Sequence, residues 1–100
     1  DMSVIDHFEK VTDKDGAIFA RKLAKEEGIF CGYSAGSAIA ALIQMKDQFT
    51  KDDVIVVLLH DHGSRYVAKI YNDEWMKEQK KKKKNLSLKI SKILKFFFYF

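Results

Sequence analysis

The sequence predicts an α/β fold, and three observations carry that prediction. Residues from Thr12 onward show helical spacing. A turn of small residues at 32–37 leads from a short apolar stretch into an apolar run at Ala38 to Met45. Val54 to Leu59 is six consecutive apolar residues rich in β-branched types and bounded by charges, as expected of a strand that a parallel sheet buries on both faces.

Taken in order, Val4 to Val11 mixes apolar and polar residues and suits a short edge strand or a lead-in loop. Thr12 opens a helix. With Asp15 three residues on it makes a capping-box-like start, Ala17, Ala20, Leu23 and Ala24 fall near one face, and Lys14, Arg21, Lys25 and Glu26 fall away from it. Gly28 reads as its left-handed cap. Ile29 to Cys31 is predicted to be a short buried strand, followed by a turn and a helix beginning near Ala35. The glycines and alanines of that helix permit a sheet or a ligand to approach its first turns. Lys46 to Asp53 is a polar loop, and Val54 to Leu59 is the central strand. The polar loop His60 to Tyr66 then lies at the carboxyl end of that strand, where open α/β sheets place their ligands. A short helix over Ala68 to Tyr71 and another around Asn72 to Glu78 complete the reading, with Trp75 and Met76 as packing anchors.

Composition narrows the function. The net charge of +4 and pI near 9.1 look basic, yet five of the eighteen basic residues form the single run Lys80 to Lys84. Ten basic and fourteen acidic residues precede that run, which argues against a nucleic-acid face on the folded part. The single cysteine, Cys31, leaves no internal disulfide and fits a reducing, cytoplasmic compartment. No secretory signal and no apolar run of membrane-spanning length is visible. At 100 residues only a modest core is available. The start at Asp1 and Met2 favours a chain cut from something longer.

Residues 79–100 differ in kind from residues 1–78. From Lys80 on, the chain uses seven residue types, all but serine with codons made only of A and T. It reads as a frameshift or as translated A/T-rich non-coding sequence, unstructured or helical. The alternative is a basic amphipathic segment, with Leu86, Ile90, Ile93, Leu94 and Phe97 on one helix face, which would make the chain a membrane-surface or interaction module.

Three chemistries can be set against the same residues. Gly32-Tyr33-Ser34-Ala35-Gly36 matches the G-x-S-x-G elbow of serine hydrolases. However, Asp61 and His62 are sequence neighbours and poorly suited to flank a serine as acid and base. His60, Asp61 and His62 could present alternate side chains to a metal ion, but two imidazoles are too few, and nothing ties His7 to this loop. No metal site is expected.

The third chemistry rests on a resemblance. Glu26 to Ser37, Val54 to Leu59, Asp61, Gly63, Arg65 and Tyr66, then Asn72-Asp73-Glu74-Trp75-Met76, closely resemble the C-terminal part of cystathionine β-synthases and the related cysteine synthases. The resemblance runs from about Val4 to about Glu78, and the Asp-Glu-Trp-Met ending favours the cystathionine β-synthase side. It implies the three-layer parallel-sheet fold of tryptophan synthase β-like, fold-type II enzymes, here incomplete, with pyridoxal 5'-phosphate as the cofactor of the intact parent. In that family the serine matching Ser34 hydrogen-bonds the pyridine nitrogen. Gly32 and Gly36 would keep the backbone close to the ring, and Asp61 would orient its loop or lie near the ring.

A neutral hydroxyl can donate to an unprotonated ring nitrogen, whereas a carboxylate would hold that nitrogen protonated and strengthen the electron sink. For Ser34 the plain alternative is a helix N-cap. Many members carry proline before the aspartate and serine after it, where this chain has His60 and His62, and Tyr33 is bulky where small residues are common. The family's Schiff-base lysine, phosphate cradle and substrate-carboxylate loop belong to segments N-terminal to Asp1, so no catalytic residue is expected in this chain. The implied reaction is serine plus homocysteine to cystathionine, with activated serine plus sulfide as the alternative. The implied partners are the missing N-terminal part of the same enzyme, amino-acid substrates and a second copy of the parent, with neither nucleic acid nor membrane.

Overall fold

Helix α1 (Asp13–Glu27) begins at the capping box expected from the sequence. The Asp15 amide donates to Thr12 Oγ1 at 3.1 Å and the Thr12 amide returns to Asp15 Oδ2 at 3.3 Å. Asp13 and Asp15 in the first turn and Lys25 in the last suit the helix dipole. Gly28 ends the helix at φ 69°, its amide bonded back to Ala24 and Leu23, a conformation that glycine adopts without a Cβ penalty. The computed structural model describes residues 1–85 and 93–94, with side chains as far as Lys80.

Helix α2 (Tyr33–Gln44) starts two residues earlier than the small-residue run indicates and is capped by the backbone of Gly32. It packs directly on α1 through Gly16, Ala17 and Ala20 on one side and Ala35, Gly36 and Ser37 on the other, all buried. A Cβ added at Gly36 would lie 2.7 Å from the Ala20 Cβ and amide nitrogen, so the two backbones approach as only glycine allows. The core is correspondingly made of small side chains. Ala17, Ala20, Cys31, Ala35 and Ile70 form its centre, with Leu59, Tyr66, Tyr71, Trp75 and Met76 packed around it. Val11, Ala40 and Ala41 form a second cluster against Phe19.

The C-terminal segment is tied back to α1 and to Cys31 by polar contacts. Arg21 donates through Nη1 to the Ile70 carbonyl at 2.9 Å and pairs through Nη2 with Asp73 at 2.5 Å. The Tyr71 hydroxyl reaches the Cys31 carbonyl at 2.6 Å and the Ala20 carbonyl at 3.3 Å. Residues 68–71, expected as a short helix, are turns. Helix α3 (Asp73–Asn85) carries Trp75 and Met76 onto the core and runs on through the lysines. In the lead-in, Met2–Val4 is a 3-10 turn, and β1 (Glu9–Lys10) pairs antiparallel with β2 (Ile93–Leu94). Ile93 and Leu94 are thus strand rather than amphipathic helix, while Leu86, Ile90 and Phe97 lie outside the described residues.

The sheet is where sequence and structure part. Among the described residues there is no parallel sheet and no three-layer architecture, and the strand content is the short β1–β2 pair. Ile29 to Cys31 contributes a single bridge, Cys31 to His62. Val54 to Leu59 is not assigned as a strand. Ile55, Val57 and Leu59 are half-buried, while Val54, Val56 and Leu58 are 79%, 66% and 76% exposed. The expected burial on both faces is therefore reduced to one face. The cause is physical: a central parallel strand needs ladder partners on both edges and a packed layer on each face, and residues 1–85 and 93–94 supply no ladder partner and cover one face alone.

Candidate functional site

The turn from Cys31 into α2 is held by the loop that follows Val54 to Leu59. The Gly32 amide donates to the Asp61 carbonyl at 2.6 Å, and the Gly63 amide donates to the Phe30 carbonyl at 3.1 Å. The Asp61 side chain lies across the Cα of Gly32: a Cβ there would stand 2.5 Å from the Asp61 carboxyl carbon. Any other residue at position 32 would displace Asp61, so Gly32 is required by a close approach rather than by an unusual φ. The Asp61 carboxylate in turn accepts from the Tyr66 hydroxyl at 2.5 Å. This holds the 3-10 turn Gly63–Tyr66 against the same corner.

Ser34 is the second residue of α2 and half-buried. Its hydroxyl makes no hydrogen bond among the described residues, and α2 has no side-chain cap. The N-cap alternative therefore does not hold, and the hydroxyl is left available beside the Gly32–Asp61 contact. Ser37, by contrast, donates to the Tyr33 carbonyl at 3.3 Å. Gly36 is turned toward α1, and the closeness it provides is to Gly16 and Ala20. The structure thus brings Gly32 and Asp61 into contact, leaves Ser34 two residues further on in the first turn of α2, and sets Gly36 to helix packing.

The histidines have local duties. His62 Nδ1 accepts from the Ser64 amide at 3.2 Å, and its ring stands edge-on to Phe30. Among the described residues, no group of three metal-binding side chains assembles. Asp61 is engaged with a tyrosine, so the acid of a hydrolytic triad is not presented to an imidazole. The sequence reading missed Tyr66 as a functional candidate. Its position five residues after Asp61, at the end of one short polar loop, was the available signal.

A cavity of about 360 Å³ opens on the other side of Tyr66, walled by Ala17, Tyr33, Ile70, Trp75 and Met76. It includes neither Ser34 nor Asp61. Tyr33 closes one side by donating its hydroxyl to the Asp13 carbonyl.

Electrostatics in this region all act in one direction. Burial raises the Cys31 thiol, keeping it a neutral core group rather than a nucleophile. Burial also raises Tyr33, and the bond to Asp61 raises Tyr66. Burial, with Cys31 beside it, pushes Tyr71 up to about 12. Each folded-state proton is held more tightly than in the unfolded chain. Stability is therefore complete below the ordinary tyrosine range and is lost as pH rises toward about 12. Thermal melts should show the midpoint falling from about pH 9 to about pH 11, with a shallower fall in Tyr71→Phe. A flat wild-type profile over that range would contradict this account.

Comparison with known proteins adds the deciding observation. Residues 2–61, which contain Gly32, Ser34 and Asp61, match the family described as pyridoxal-phosphate dependent enzyme. The chain belongs to the pyridoxal-phosphate dependent enzyme family.

Within that family, the chain is 40% identical to the cystathionine beta-synthase of Oryctolagus cuniculus over 76 residues, which is 76% of this chain and 14% of the relative. It is 41% identical to the cystathionine beta-synthase of Dictyostelium discoideum over 73 residues, 73% of this chain and 15% of the relative. Against the N-(2-amino-2-carboxyethyl)-L-glutamate synthase of Ralstonia nicotianae it is 40% identical over 72 residues, 72% of this chain and 21% of the relative. The chain thus spans about a fifth or less of each of these proteins. The resemblance to cystathionine β-synthases and their kin holds, and fold-type II is the fold of this family. Pyridoxal phosphate is its cofactor. The residues present fit it: Ser34 offers a neutral hydroxyl with no partner among the described residues, which can donate to an unprotonated ring nitrogen.

Proposed function

We propose that residues 1 to about 78 form one wall of the cofactor site of a β-replacement enzyme of sulfur amino-acid metabolism, which joins serine to homocysteine. The observation that carries this reading is the free hydroxyl of Ser34 at the start of α2, next to the Gly32–Asp61 contact, in a chain similar to two cystathionine beta-synthases. When bound, pyridoxal phosphate supplies the electron sink for loss of the β-substituent. Ser34 donates to the ring nitrogen and leaves it unprotonated, Gly32 keeps the turn thin enough for close approach, and Asp61 orients the loop that faces the ring. The group that forms the covalent link to the cofactor, and the cradle for its phosphate, come from polypeptide outside these residues.

The same reading completes the sheet. Val54 to Leu59 pairs along both edges with strands of the rest of the enzyme, and helices of that enzyme packed on the open face cover Val54, Val56 and Leu58 and complete the three layers. Two relatives named for different products share this segment at similar identity. That supports a β-replacement chemistry whose acceptor is selected elsewhere.

The test is Ser34→Ala in the full-length protein that contains this segment. Loss of one hydrogen bond to the cofactor should lower kcat/KM for cystathionine formation by about tenfold and weaken cofactor retention. A full-length protein without bound pyridoxal phosphate, or a variant with wild-type turnover and retention, rejects the proposal.

A further inference from the structure

We propose that Tyr66 is a positioning residue for this site: it holds Asp61 over Gly32, and so fixes the corner from which Ser34 is presented. This rests on the reading given under Proposed function. Four contacts converge on one point. The Tyr66 hydroxyl donates to Asp61 Oδ2 at 2.5 Å, and the carboxyl carbon of Asp61 would be 2.5 Å from a Cβ at Gly32. The Gly32 amide donates to the Asp61 carbonyl at 2.6 Å, and the Gly63 amide donates to Phe30 at 3.1 Å.

Asp61 is therefore held at both ends, its carbonyl by Gly32 and its carboxylate by Tyr66. Of these two holds, the one from Tyr66 is a side chain's and can be removed alone. A bond from a hydroxyl to a carboxylate is charge-assisted and stronger than a neutral one. Tyr66 has the support to act as a fixed anchor, because it packs against the main core and its ring lies 6.4 Å from that of Tyr33, the residue preceding Ser34. When the hydroxyl is removed, the carboxylate can swing off Gly32, the loop loosens, and Tyr33, the one residue between Gly32 and Ser34, loses its reference point. Tyr66 itself touches neither substrate nor cofactor in this scheme, so its effect passes through Asp61.

The experiment compares Tyr66→Phe, Asp61→Asn and wild type in the full-length holoprotein, with pyridoxal phosphate as the titrated ligand. Cofactor affinity is read from its visible absorbance, and hydrogen exchange is read at the Gly32 amide. Tyr66→Phe should weaken cofactor binding by about tenfold and speed Gly32 exchange by a similar factor, the scale of one charge-assisted hydrogen bond. Asp61→Asn keeps an amide oxygen that can still accept from Tyr66, now through a neutral bond, and should fall between wild type and Tyr66→Phe on both readouts. A change in packing alone would leave the Asn variant no special reason to be spared.

The proposal is overturned if Tyr66→Phe leaves both readouts at wild-type values. It is equally overturned if Asp61→Asn is as damaging as Tyr66→Phe, since the carboxylate charge would then act on the cofactor directly. A wild-type protein that takes up no pyridoxal phosphate removes the cofactor-site reading itself. Wild-type uptake with an indifferent Tyr66→Phe removes only the role of Tyr66.

Discussion

Gly36→Ala is expected to destabilise the chain by roughly 3 kcal/mol or more, the upper range for overpacking a close-packed contact. The added methyl would press on the Gly16 carbonyl and stand 2.7 Å from both the amide nitrogen and the Cβ of Ala20. Those are backbone and stub atoms of α1, which move only if the whole helix moves. The control is Gly16→Ala on the facing helix. Its methyl would meet the Ser37 hydroxyl, which gives way by rotating off its 3.3 Å bond to the Tyr33 carbonyl at a cost of about 1 kcal/mol, and the next contacts are at an ordinary 3.4 Å. The alanine also gains up to about 1 kcal/mol of helix propensity, so this variant should lie within about 1 kcal/mol of wild type. Urea unfolding followed by the fluorescence of Trp75, the single tryptophan, distinguishes the two. Equal midpoints for both variants would show that α1 and α2 do not cross at these glycines.

The second large effect is expected at Val54 to Leu59. The amides of Ile55, Val57 and Leu59 have no backbone partner among the described residues, whereas Ala20 lies fully buried inside α1. Opening free energies run from near zero in unpaired segments to the full folding free energy in cores, so exchange should differ by at least about a hundredfold between these positions. The same segment exposes Val54, Val56 and Leu58 in a row, and an extended stretch with open edges and an apolar face invites pairing with another chain. The 100-residue chain should therefore associate as its concentration rises, and Val56→Lys should suppress that association. Protection at Val57 equal to that at Ala20 would disprove the account, as would association that is indifferent to the added lysine.

These two regions also show what could be learned from the sequence and what could not. The limits of α1 were legible because Thr12, Asp15 and Gly28 act on their own neighbours, through bonds three or four residues long. The order of motifs pointed to Gly32 and Asp61 together, but not to the wiring of the contact between them. The bond from Tyr66 to Asp61 depends on how a loop turns back, and the crossing of α1 with α2 depends on Gly16 and Gly36 meeting in space. The role assigned to Gly36 shows this most clearly, because a small residue permits a close neighbour without saying which neighbour it is. The strand was legible in composition alone. Six apolar residues state that both faces need covering, but the cover is a property of other polypeptide.

The contacts of Arg21 and Tyr71 have a consequence for how the chain is made. Arg21 finds its acceptors at Ile70 and Asp73, and Tyr71 finds its own at Ala20 and Cys31. Polypeptides leave the ribosome in order, so α1 and α2 emerge well before the residues that fasten them. Until position 73 has cleared the exit tunnel, Arg21 and the Cys31 carbonyl must be satisfied by water or by a chaperone. A nascent chain stalled before Ile70 should therefore be protease-sensitive throughout α1, and resistance should arrive in one step when the last knot is tied.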